Sequence, residues 1–186
     1  MREDSAIRAS GSTEEERARR YPCDDALPDA ETSTCRAIDI DAPPEVVFRW
    51  LCQLQAGPYS YDLLDNLGRR SPRKLVPGME KLELGQKFMI IYELVEFEPP
   101  SGGSGHITVR TNKLRGPFGT QAVTYHVSPN VKGGTRLVAK RVLKPPRGPH
   151  GPVFKMNLPA MDYVMARKQL RNFKKLAERQ VAEEQA

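Results

Sequence analysis

Arg141 is the side chain whose placement asks most for a chemical explanation. In the run Thr135 to Leu143, Leu137, Ala139, Arg141 and Leu143 alternate with Arg136, Val138, Lys140 and Val142, so a period of two puts a guanidinium on an apolar face. A cation there needs a carboxylate, a ligand anion or a route to water. Two readings stay open: an anchor for a ligand carboxylate, phosphate or enolate oxygen, or a structural ion pair or rim residue. At 100° per residue, Leu158, Met165, Ala166, Leu170, Phe173 and Ala177 form one stripe of a C-terminal helix, with Asp162 and Gln169 inside it. Asp162 could pair with the inward arginine, bracket a ligand with it, or simply sit near the positive end of the helix dipole.

Tyr125 shares the Val123 and Val127 side of its strand, and Tyr92 the Phe88, Ile90 and Leu94 side of another. Tyr59, Tyr61 and Asp62 fall between two short predicted helices, where tyrosines either hydrogen-bond and stack with a ligand or seal the helices against the sheet. Met161 and Met165, with Met156, are core filler or the adaptable lining of an apolar pocket. His106, His126 and His150 are dispersed, and GxSxG, HExxH, P-loop and GxGxxG patterns are absent. Catalytic residues therefore cannot be assigned, and neither a metal nor another cofactor is expected.

The elements that would position these groups follow from periodicity and turn chemistry. Thr34 to Asp41 alternates as a half-buried strand. Pro43, Pro44 and Glu45 then open an amphipathic helix with Val47, Trp50, Leu51 and Leu54 on one face, ending before Gly57-Pro58. A second short helix is predicted over Ser60 to Leu67. Strands follow at Met79 to Leu84, Lys87 to Glu98, Gly105 to Lys113, Gln121 to Ser128 and Thr135 to Leu143, separated by glycine-rich turns that favour antiparallel hairpins. After a proline-rich connection, Pro145 to Pro159, residues 160 to about 182 form a long helix. The predicted class is α+β: a curved antiparallel sheet of six or seven strands around a C-terminal helix, with two short helices after the first strand.

The chain of 186 residues, 28% charged and 39% hydrophobic, fits one domain with a single sizeable core. Residues 1–33 hold nine acids against five bases and only Ile7, Tyr21 and Leu27 as large apolar anchors, so they are expected to be a disordered tail ahead of a ligand-binding domain spanning 34–186. Between Glu98 and Asp162 there are ten bases and no acid, which makes one side electropositive. The absence of long apolar runs predicts no membrane-spanning segment and no secretory signal, hence a cytoplasmic protein. Cys23, Cys35 and Cys52 have neither disulfide-framework nor metal-knuckle spacing.

The run Ile38-Asp39-Ile40-Asp41-Ala42-Pro43-Pro44-Glu45-Val46-Val47-Phe48-Arg49-Trp50-Leu51, followed by the Gly85-Gln86 turn and the C-terminal helix, resembles the START-like, or SRPBCC, helix-grip superfamily over about residues 34–180. Pro58 to Asp62 with Asp65 to Arg73 is similar to a bacterial subgroup described as polyketide-cyclase-like. The resemblance implies a hydrophobic cavity between sheet and helix, with Tyr59, Tyr61 and Asp62 at its mouth. It does not name the contents, because cyclases, hormone-binding and lipid-binding proteins share the fold.

The leading expectation is binding of a hydrophobic or amphipathic small molecule with an acidic end, contacted by Arg141, Tyr125, Tyr59, Tyr61, Asp62, Tyr92, Asp162, Met161 and Met165. A cyclase or dehydratase-like enzyme is the second reading. The third is an adaptor whose basic 99–161 region meets RNA or an acidic membrane surface.

Overall fold

The computed structural model describes residues 9–61, 68–111, 119–146 and 151–185, with backbone alone for 151–159. Two short helices come first, α1 (Glu14–Ala18) and α2 (Pro22–Ala26), then strand β1 (Thr32–Ile40) and helix α3 (Pro44–Cys52), which runs into a 3-10 turn at Gln53–Gln55. Strands β2 (Lys87–Phe88), β3 (Tyr92–Glu98), β4 (Gly105–Thr111), β5 (Thr120–Pro129) and β6 (Thr135–Lys144) follow, and helix α4 (Gly151–Glu184) ends the fold. The six strands make one curved, open antiparallel sheet in the order β1-β6-β5-β4-β3-β2. The predicted α+β class, with one curved antiparallel sheet and a long C-terminal helix, holds.

Alternation decides which residues enter the core. Ile107 and Val109, then Val123, Tyr125 and Val127, then Leu137 and Ala139 face the helices, where they meet Val47, Trp50 and Leu51 of α3 and Leu170, Phe173, Leu176 and Ala177 of α4. Trp50 is 2% exposed and meets the Tyr59 ring edge-on at 6.2 Å. Proline at the start of α3 costs nothing, since the first-turn N–H groups have no helical acceptor.

The expected disordered tail is corrected from residue 9 onward. Helices α1 and α2 lie on the outer face of the sheet, where Tyr21, Cys23 and Leu27 pack against Cys35, Ala37, Ala122, Val138 and Val142. The outward positions of β1, β5 and β6 are thus a second, smaller core, and the three anchors suffice because the sheet supplies the opposing apolar surface. Acidic residues of this segment also neutralise the sheet: Arg136 pairs with Glu16 at 2.7 Å, Lys140 with Asp24 at 2.8 Å, and Lys144 with Asp29. A boundary at residue 34 would cut through β1.

Three local expectations change as well. No strand forms over Met79 to Leu84, where the chain turns through Gly78 and Gly85, both at positive φ. The predicted strand Lys87 to Glu98 is broken in two because Met89 and Ile90 adopt left-handed φ values of 43° and 67°, and Met89 N–H donates to Leu54 O at 3.0 Å. This conformation is costly for a β-branched residue. Helix α4 starts at Gly151, earlier than expected, since proline has a helical φ and Pro152 lies in the first turn. The second short helix predicted at Ser60 to Leu67 falls mainly on 62–67, outside the described residues.

Candidate functional site

Strand register builds the site. Arg141 on β6 lies opposite Thr34 of β1 and Val123 of β5, and in the neighbouring inward row Ala139 separates Arg36 from Tyr125. Thr34, Arg36, Ile38 and Ile40 alternate on β1 as Leu137, Ala139 and Arg141 do on β6, so two arginines from adjacent strands enter the same interior. Across from them, α4 presents Asp162, 3% exposed.

Asp162 accepts at Oδ2 from Arg36 Nε (2.9 Å), Arg36 Nη2 (2.6 Å) and Thr34 Oγ1 (2.9 Å). Its Oδ1 faces Arg141 Nε at 3.2 Å, close enough for an ion pair though not aligned as a hydrogen bond. Arg141 Nη1 donates to Gln121 Oε1 at 3.2 Å, and the Tyr92 hydroxyl donates to the same oxygen at 3.0 Å. About two turns along α4, Gln169 accepts from the Tyr125 hydroxyl at 2.8 Å and donates to Pro58 O at 2.6 Å.

Among the described residues two guanidiniums share one carboxylate, which leaves one positive charge at this cluster. Arg36 is sequestered, with its side chain 2% exposed, whereas 23% of the Arg141 side chain reaches solvent. Burial pushes the Asp162 carboxyl up, but Arg141 and Arg36 outweigh it and hold the group below the ordinary aspartate value. Burial also raises Tyr92 and Tyr125, which keeps both hydroxyls neutral donors at physiological pH. Arg141 stays charged: burial opposes its cationic form, and the Asp162 carboxylate restores it.

Arg141, Asp162, Tyr92 and Tyr125 therefore come together. Tyr59 does not join them: it is 1% exposed, its ring lies 5.4 Å from that of Phe173, and its N–H donates to the Ser71 hydroxyl, so it seals the interior. Tyr61 and Met161 are exposed at 40% and 47%, and Met165 is half-buried on the same helix. Asp62 lies outside the described residues. The first-strand residues Arg36 and Thr34, and Gln121 on β5, were missed, although the alternation that marked Arg141 also places them inward.

Among the described residues no three His, Cys, Asp or Glu side chains gather as metal ligands, and no helix is long and apolar enough to cross a membrane. The three cysteines are buried and free.

No family model matches the chain, and no curated protein sequence matches it. Among solved structures, hypothetical protein jhp0584 from Helicobacter pylori aligns at 12% identity and a TM-score of 0.41, covering 81% of this chain and 96% of its own. A solution structure from Thermobifida fusca aligns at 12% identity and 0.44, covering 77% and 94%, and the KanY protein at 15% and 0.38, covering 79% and 97%. The sheet order and the long C-terminal helix are compatible with a helix-grip architecture.

Proposed function

We propose that this protein is a START-like, SRPBCC-type binding module that takes an amphipathic small molecule between sheet and C-terminal helix, with the ligand's acidic end on Arg141. The observation that carries this reading is the charge imbalance at Asp162. A buried pair is neutral, but here a second guanidinium is added whose remaining donors, among the described residues, meet an amide oxygen and a partly open space. A carboxylate or phosphate on Arg141 would neutralise the surplus, with Tyr92 and Tyr125 beside it as neutral donors.

A cyclase-like reaction finds less support. The acid it would use, Asp162, is held ionised by two arginines and is a poor proton donor near neutral pH. The adaptor reading also weakens, because Arg136, Lys140 and Lys144 in the basic region are paired with the chain's own Glu16, Asp24 and Asp29.

The test is titration with a fluorescent fatty acid and with its uncharged alcohol analogue, alongside native mass spectrometry of the purified protein. Binding of the acid should weaken more than tenfold in Arg141→Met while the alcohol is affected much less. Equal binding of the acid by wild type and variant would overturn the assignment of Arg141.

A further inference from the structure

The far side of the Asp162 cluster opens onto a second feature. Between β1, whose Ala37 N–H donates to Ser10 O at 3.2 Å, and the outer flank of α4 runs a cleft of about 210 Å³, lined by Ser10, Arg36, Ile38, Arg167, Leu170 and Arg171. It is separate from the Arg141 side: α4 turns Asp162 and Gln169 toward the sheet interior, whereas Arg167 and Arg171 lie one turn apart on its exposed flank. Among the described residues no carboxylate lines the cleft, and Asp162 is already shared by Arg36 and Arg141.

The cations are organised. Arg36 and Arg167 both lie over the ring of Tyr163, at 5.4 and 5.5 Å from its centroid, and Arg167 Nη1 donates to the Tyr163 hydroxyl at 2.8 Å. One aromatic ring thus holds two like charges at the same cleft, with a third one turn away. Arg36 is already paired with Asp162, so an anion here would be held by Arg167 and Arg171, four residues apart on the exposed flank of α4. Arginine forks suit the oxygens of a phosphoryl group, and Ile38 with Leu170 provides an apolar wall.

We propose that this cleft binds a phosphomonoester with a small apolar substituent, held by the guanidiniums of Arg167 and Arg171. The size of the cleft limits the occupant to a small head rather than a polymer. A soluble phosphorylated metabolite and the exposed phosphate of a lipid headgroup present the same chemistry.

The experiment is calorimetric titration of the full chain with phenyl phosphate at physiological salt, for wild type, Arg167→Gln, Arg171→Gln and Lys175→Gln. Lys175 is exposed on the same helix, outside the cleft, and controls for general charge. Thermal melts establish that each variant is folded. Wild type should bind at about 1 mM or tighter, each arginine variant about tenfold more weakly, and Lys175→Gln within about twofold. No saturable binding by wild type, unchanged affinity in the arginine variants, or an equal loss in Lys175→Gln would each overturn the proposal. Sedimentation with phosphatidic acid vesicles, compared with phosphatidylcholine vesicles, then identifies the source. Arginine-dependent capture by the acidic vesicles alone points to a headgroup, and its absence with phenyl phosphate binding intact points to a soluble phosphomonoester.

Discussion

Arg36 and Asp162, 126 positions apart, meet in the interior through two hydrogen bonds that end on a single carboxylate oxygen, leaving the other oxygen to Arg141. The first strand and the last helix are tied by a fully buried ion pair, while the second arginine shares its carboxylate from a partly open position.

The two arginines should therefore respond differently to the same substitution. Arg36→Met removes the principal partner of a buried carboxylate and is expected to cost about 3–5 kcal/mol. Arg141→Met leaves Asp162 bonded to Arg36 and Thr34 and removes the surplus charge, so stability should change by less than about 1 kcal/mol. Urea unfolding of both variants checks this, and equal losses would show that the two arginines hold the carboxylate jointly.

Stability should depend on pH in two separable stages. His126 is buried, its Nε2 has no hydrogen-bond partner, and the Tyr21 ring covers it edge-on at 5.8 Å. Burial, with Arg19 and His106 adding repulsion, lowers its pKa to about 4. The unfolded chain therefore binds the extra proton first, and stability should fall as pH drops from about 6.5 toward 4. Asp162, depressed instead by its arginines, contributes stability that is lost only at lower pH, as the pH falls below the ordinary aspartate value toward its folded value. Melting curves of His126→Gln should be flatter than wild type in the first window and keep the second; an unchanged slope above pH 4 would show that His126 does not titrate as its surroundings require.

Removing residues 1–31 should be severely destabilising. Tyr21, Cys23 and Leu27 are 3%, 0% and 3% exposed, and their loss would bare the apolar outer face of β1, β5 and β6. Leu27→Ala alone is expected to cost about 2–5 kcal/mol. A truncated protein that melts within a few degrees of the full chain would show that the outer core adds little.

Trp50→Ala should cost about 3–5 kcal/mol, since the ring fills the space between α3, Tyr59 and the sheet. The intrinsic fluorescence of this single tryptophan should also shift red on unfolding of the wild type; an emission maximum already at the solvent value in the native protein would contradict its burial.

The inward rows of the sheet were legible in the amino-acid sequence because a strand has a period of exactly two: once Leu137, Ala139 and Arg141 share a face, the direction of each is determined without knowing the partner strands. The α4 stripe was legible for the same kind of reason, with Asp162 and Gln169 among its apolar residues. Local periodicity, however, says nothing about what lies opposite. Only the antiparallel register of β1 with β6 put Thr34 and Arg36 next to Arg141, and only the crossing of α4 gave both arginines one carboxylate to share. The acidic N-terminal segment read as disordered because, taken alone, its three apolar anchors cannot offset the entropy of ordering it. The tertiary structure reverses that balance by supplying a preformed apolar face and three outward bases, which is information held largely in the distant strands β5 and β6.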